Sequence, residues 1–75
     1  MKAQYDLVVA NIIDGVLIQI QDSLKAITKN KGHLILTGIL LEREQSFLNE
    51  FILNEFKILK RVKQQEWLGF LLQKK

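Results

Sequence analysis

The residue with the plainest opportunity for chemistry is Asn11, which follows the apolar run "YDLVVA" and precedes two isoleucines. A polar amide that closes such a run sits where open α/β sheets meet their ligands, outside the carboxyl end of a strand. The plain alternative is a turn residue that ends the strand. Three residues on, Asp14 is either a carboxylate of the same site or the N-cap of a following helix. Trp67 is either core or partner-facing, or part of a site. His33 stands alone, with no second histidine and no cysteine in the chain, so no metal site is expected. No Ser, His and Asp arrangement for nucleophilic catalysis is present, and Gly15, Gly32, Gly38 and Gly69 are scattered and form no G-x-G-x-x-G phosphate loop.

The elements that must position these residues follow from periodicity. "YDLVVANII" is rich in valine and isoleucine and does not alternate, as in a parallel strand buried on both faces. From residue 14 to about 29 the period changes, with Leu17, Ile20, Leu24 and Ile27 on one helical face, Asp14 as N-cap, Lys25 and Lys29 at the negative end of the helix dipole, and "KNKG" as the stop. "HLILTGIL" is a second strand, with Gly38 where the backbone turns or comes close to something. "EREQSFLNEFILNE" is a second helix with Phe47, Leu48, Phe51, Ile52 and Glu55 on its continuing face, and Phe47, Phe51 and Phe56 are expected in the core. "FKILKRVK" reads as an edge strand, with Phe56, Ile58 and Val62 on one face, and "EWLGFLL" follows at hairpin spacing as an interior strand. The order is βαβαββ. Right-handed crossovers stepping in one direction put both helices on one face and leave the other bare.

Size and charge restrict what such a unit can be. A 75-residue chain forms one domain with a thin core, since small domains bury only about 60% of the surface their unfolded chains expose. The absence of cysteines removes disulfides and thiolate metal sites and suits a reducing, cytoplasmic compartment. No run is long enough to span a bilayer, and the amino end "MKAQYD" lacks a signal-peptide core. The net charge of +3 hides a gradient: residues 57–75 carry six basic side chains against Glu66. Lys57, Lys60, Arg61 and Lys63 lie together on the strand read as an edge, where lysines block unwanted pairing. That reading is preferred to a nucleic-acid surface. The bare face and the open first strand predict self-association, with the chain pairing or stacking on its copy.

"YDLVVANIIDGVLIQI", "KGHLILTGILLEREQSFL" and "FKILKRVKQQEWLGFLLQKK" resemble, in order and across essentially the whole chain, the carboxyl-terminal part of the ribosomal protein L11 methyltransferase family. The resemblance implies a partial Rossmann-like sheet, residues 1–75 forming the C-terminal half of a class I, S-adenosylmethionine-dependent methyltransferase domain, with the last strand inserted antiparallel in the sheet. It implies that Asn11 lies at the cofactor and helps to orient an incoming amine, that the backbone at Ile12 and Ile13 shapes the slot, and that Trp67 lies toward the substrate, a ribosomal protein. Relatives acting on glutamine or adenine follow the asparagine with prolines; the isoleucines here suit the ribosomal-protein branch. The family's glycine-rich loop and ribose-binding carboxylate have no counterpart in these residues, so the chain by itself is expected neither to bind S-adenosylmethionine well nor to catalyse, and no catalytic residue is assigned.

A second reading, from another class, is a small non-enzymatic α/β interaction module that forms a homodimer. A third, a nucleic-acid module acting through the basic edge, predicts binding that falls steeply with salt.

Overall fold

The computed structural model describes residues 3–75. The reading of the amino end as leaderless falls partly on Met1 and Lys2, outside the described residues. The chain runs β1 (Tyr5–Asn11), α1 (Asp14–Gln19), α2 (Gln21–Ile27), β2 (Thr28–Leu40), a 3-10 turn (Leu41–Arg43), α3 (Glu44–Glu50), β3 (Phe56–Gln64) and β4 (Trp67–Lys74). The sheet order is β1-β2-β4-β3, with β1 and β2 parallel and β4 antiparallel to both of its neighbours. The expected βαβαββ unit, with an antiparallel hairpin whose second strand enters the sheet interior, is thus present.

One face of the sheet holds the core. Val8 and Ala10 of β1, Leu34, Leu36 and Ile39 of β2, and Leu68, Phe70 and Leu72 of β4 are buried beneath Leu17, Leu24, Phe47 and Phe51 from the connecting segments. Side chains alternate across a strand, so the residues between them point the other way. Leu7 and Val9 are accordingly 56% and 60% exposed. Their parallel partners are His33 and Ile35, and Ile35 faces Leu71 across the next ladder. Phe47 is the hub of the covered face, stacked on Phe51 at 5.1 Å and on Phe70 at 6.3 Å between ring centroids. The three phenylalanines expected in the core, Phe47, Phe51 and Phe56, are all buried.

The helices are shorter than the periodicity suggested. The first breaks at Ile20 into α1 and α2, where Gln21 makes tertiary contacts, and ends at Ile27. The Gln21 amide donates to the carbonyls of Ile18 and Glu50 at 3.0 and 2.9 Å, and its oxygen accepts from the Ile52 N–H at 2.9 Å. The same contacts stop α3 at Glu50 and leave Ile52 half exposed, outside the helix that was expected to include it. Lys74 caps the end of α2 by donating to the carbonyls of Lys25 and Thr28 at 2.7 and 3.1 Å. Asp14 does not act as an N-cap, since no side-chain cap bond forms at α1. It is buried and accepts from Arg43 Nε at 2.5 Å, tying the first crossover to the second.

Two further corrections concern strand register. "KNKG" does not lie between helix and strand: β2 begins at Thr28, and residues 29–32 bulge out between the Tyr5–Thr28 and Leu7–His33 pairs. Lys31 there adopts φ 70°, Lys29 pairs loosely with Asp6 at 3.6 Å, and a Cβ on Gly32 would meet the Lys29 carbonyl at 2.8 Å. In β3 the register slips between Ile58 and Lys60, so Val62 leaves the face of Phe56 and Ile58. A one-residue slip sends every later side chain to the opposite face. Arg61 therefore points toward the helices and grips Glu44 with two bonds of 2.6 Å.

Truncating the hub tests the one-sided core: Phe47→Ala should cost about 3–5 kcal/mol in chemical denaturation, enough to unfold much of a marginal domain. The Glu44 carboxyl is held below its usual value by the hydrogen bonds from Arg61. A depressed carboxyl stabilises the fold above its unfolded pKa of roughly 4.3 and stops doing so as pH falls through its folded value. Glu44→Gln should therefore flatten the decline of Tm between pH 6 and pH 3 relative to the parent chain, by a small amount because the pair is near the surface.

Candidate functional site

β1 and β2 are parallel, so their carboxyl ends lie together, and Asn11 and Thr37 are register partners there. Beyond Thr37 the ladder to β4 is irregular: Leu36 pairs with Phe70 but Ile39 with Leu68, so Thr37 and Gly38 share the space opposite Gly69. This bulge has a backbone requirement, because Gly38 has φ 85°. It has a steric one as well. A Cβ at Gly38 would lie 2.9 Å from the Ile12 carbonyl oxygen and 3.0 Å from Asn11 Oδ1. The sequence reading of Gly38 as a place of turning or close approach is met in both respects.

The hairpin brings the remaining wall. Gln64 and Trp67 face one another across the two-residue turn of Gln65 and Glu66, with Gln65 at φ 56°. The tip is fixed to the end of β2 by the Leu41 N–H, which donates to the Glu66 carbonyl at 2.8 Å. Trp67 begins β4 beside Leu40 and stays 47% exposed. Asn11, Thr37, Gly38, Gln64 and Trp67 together line an open cleft of about 390 Å³. On the bare face Ile35, Thr37, Val62, Gly69, Phe70 and Leu71 line an apolar hollow of about 300 Å³.

The two side chains singled out from the sequence, Asn11 and Trp67, thus share one cleft. Ile12 contributes its carbonyl near Gly38, while its side chain packs against the core. Asp14, engaged with Arg43, is not in the cleft lining, and His33 sits farther back along β2 opposite Leu7 and Gln73. Thr37 and Gln64 were not identified from the sequence. Thr37 had a signal, as the one hydroxyl inside "LILTGIL". Gln64 had none, because its direction depends on the slip in β3.

Chemically, the cleft is neutral. Two amides, a hydroxyl and an indole can orient a polar ligand by hydrogen bonds, and the indole can stack on a flat or cationic group. None of these lining side chains titrates near neutral pH, so the arrangement could position a ligand but offers no group to exchange protons with it.

A sequence model of the family described as ribosomal protein L11 methyltransferase (PrmA) matches residues 1–75. Among curated relatives, the ribosomal protein L11 methyltransferase of Nitratiruptor sp. is 39% identical over 95% of the chain and 24% of its own length. That of Desulfotalea psychrophila is 40% identical over 100% of the chain and 25% of its own length. The chain therefore spans about a quarter of the length of the curated relatives it matches. A crystal structure of ribosomal protein L11 methylase from Lactobacillus delbrueckii subsp. bulgaricus superposes on 100% of the chain and 39% of its own, with a TM-score of 0.86 at 24% identity, a likeness of fold.

Gly38→Ala tests the construction of the cleft. The substitution forces a left-handed alanine against two oxygens and should destabilise the chain by at least about 1–2 kcal/mol, with the Asn11 side-chain amide resonances displaced in NMR spectra. Gly69→Ala, where no left-handed backbone is required, meets the Thr37 methyl at 3.2 Å and the Leu36 carbonyl at 3.3 Å, and should cost less.

Proposed function

The chain belongs to the ribosomal protein L11 methyltransferase family, and from that premise we propose that its residues form the C-terminal half of a class I methyltransferase domain, supplying the wall that orients an amine of a ribosomal protein. The observation that carries this reading is the neutral cleft at the carboxyl ends of two parallel strands, with Asn11 on one side and Trp67 on the other. A parallel pair followed by an antiparallel hairpin that enters the sheet interior also suits that assignment.

In this reading the chain supplies only part of a site for S-adenosylmethionine. Among the described residues no carboxylate lines the cleft to accept ribose hydroxyls, and these 75 residues contain no G-x-G-x-x-G loop to admit a cofactor closely. What they offer is control of the nucleophile. An amine nitrogen attacks through its lone pair, so it must be neutral and aimed. Asn11 Oδ1 can accept an amine N–H, fixing the direction of the lone pair, and the Ile12 carbonyl oxygen, close to Gly38, is a further acceptor near it. Trp67 would cover the aliphatic part of the same group and exclude water. Holding a reactant in line lowers a barrier by several kcal/mol, with no proton transfer by the wall itself.

The alternative is a non-enzymatic homodimeric module, favoured by the exposed apolar side chains of β1 and the hollow on the bare face. Both readings agree with residence in the cytoplasm, and no helix among the described residues is long and apolar enough to cross a membrane. They differ in what Asn11 is for.

Calorimetric titration of the chain with S-adenosylmethionine should show no binding at micromolar concentration, and the chain alone should not methylate ribosomal protein L11. Joined to the remaining three quarters of the Nitratiruptor sp. relative, it should restore methylation, and Asn11→Ala in that hybrid should lower turnover by at least about tenfold, the scale of one lost orienting contact. A correctly folded hybrid that binds cofactor but transfers no methyl group, or one indifferent to Asn11→Ala, would overturn the assignment.

A further inference from the structure

The 3-10 turn that follows β2 is bonded to both segments that flank the cleft. At its first residue, the Leu41 N–H donates to the Glu66 carbonyl at 2.8 Å and fixes the hairpin turn next to Trp67. At its last, Arg43 Nε donates to Asp14 Oδ2 at 2.5 Å, three residues past Asn11. The first tie is made by backbone and needs no particular side chain. The second is the only side-chain hydrogen bond that residues 11–14 make among the described residues.

We propose that Arg43 is a positioning residue for methyl transfer: through Asp14 it holds the loop after β1 against the end of β2, and so sets where Asn11 stands in the cleft. The inference rests on the orienting role of Asn11 in the proposed reaction. Asp14 is 5% exposed and makes no cap bond at α1, so its carboxylate serves neither solvent nor helix. A buried carboxylate is strongly disfavoured once its one cationic partner is gone, which makes the two side chains move together. Only Ile12 and Ile13 separate Asn11 from Asp14, and three residues reach at most about 10 Å. α1 begins at Asp14 itself, so the loop has no slack on its far side. On the near side it lies close to β2: a Cβ on Gly38 would be 2.9 Å from the Ile12 carbonyl oxygen and 3.0 Å from Asn11 Oδ1. Gly38 makes room for the loop, and Arg43 keeps it there.

A second pair of the same chemistry gives the comparison. Glu44 follows Arg43 in the chain and is held by Arg61 through two bonds of 2.6 Å, but that pair ties α3 to β3 and reaches no residue of the loop. A tie that only stabilised the fold would be replaceable by apolar packing. A tie that aims Asn11 would not, because a directed donor such as the guanidinium fixes the angle of its partner and a greasy contact does not.

In the chain itself, Asp14→Leu with Arg43→Leu removes the pair without stranding a charge. Far-ultraviolet circular dichroism should stay unchanged while the Asn11 side-chain amide resonances move, and Glu44→Leu with Arg61→Leu should leave those resonances in place. In the hybrid with the rest of the Nitratiruptor sp. relative, losing the first pair should lower kcat about 10- to 100-fold, the scale of a misplaced reactant, with KM for S-adenosylmethionine unchanged. Losing the second pair should keep kcat. Arg43→Lys, which retains the charge but not the planar fork, should fall between the parent and the double variant, and it carries the test where the double variant does not fold. An Asn11→Ala background decides the route: the loss should disappear there, since a residue that acts through Asn11 has nothing left to position. Asn11 resonances indifferent to the first pair, equal losses from the two pairs, or a loss that multiplies with that of Asn11→Ala would overturn the proposal. A parent hybrid that transfers no methyl group overturns the orienting role of Asn11 and this proposal with it, whereas an active hybrid sensitive to Asn11→Ala but indifferent to Arg43 overturns this proposal alone.

Discussion

Alternation of side chains along β1, β2 and β4 is the constraint on which the rest of this molecule depends. Every second residue enters one hydrophobic layer with Phe47 at its hub, and the residues between are committed to the other face whether or not anything covers it. Among the described residues three α-helices lie on one side and none on the other. At roughly 25 cal/mol per Å² of apolar surface removed from water, the covered face accounts for the fold, while Leu7, Val9, Ile35 and Leu71 leave apolar surface on the other face that these residues do not cover. Small-domain stability is therefore drawn from half of an apolar sheet.

Alternation is broken in three places, and each break has an effect downstream. The bulge at residues 29–32 lets β1 and β2 start together before a polar loop swells out. The slip near Leu59 turns Arg61 inward to Glu44 and turns Val62 outward to the apolar hollow. The bulge at Thr37 and Gly38 returns Ile39 to the core after Leu36 and opens the space that Asn11 and the Ile12 carbonyl approach. Only the last of these was signalled by composition, because glycine at a strand end has few reasons to be there. The other two depend on which partner residues a strand meets, and that is a property of the assembled sheet.

The same distinction explains what else was legible. Strand identity and order followed from apolar runs and hairpin spacing, both local. Helix ends did not, because Gln21 and Lys74 supply polar caps from segments 29 and 49 residues away from the carbonyls of Glu50 and Lys25 they satisfy, and such distant partners leave no periodic trace. Asp14 shows the point sharply. Its position before an apolar helical face is that of a cap, yet the side chain is buried against Arg43, a contact that exists only once the two crossovers lie side by side. Asn11 and Trp67 were found separately, one from its place after a strand and one from resemblance, and only the interleaving of β4 beside β2 brings them to one cleft.

That interleaving also determines what kind of chemistry the cleft can serve. A strand inserted antiparallel next to a parallel pair delivers its first residue, Trp67, to the carboxyl end of its neighbours, so the hairpin turn and the strand ends meet at one rim. The groups collected there are amides, a hydroxyl and an indole. The fold's ionic pairs lie elsewhere: Asp14 and Glu44 bind arginines on the helix side, and Asp6 lies beside Lys29 at the opposite end of β1. Three carboxylates thus hold crossovers and edges together, Glu66 sits in the hairpin turn, and the cleft lining itself, among the described residues, carries no charged side chain. Among the described residues the cleft lining holds no acid that could protonate a bound group, so what it can offer is hydrogen bonds and the face of the indole.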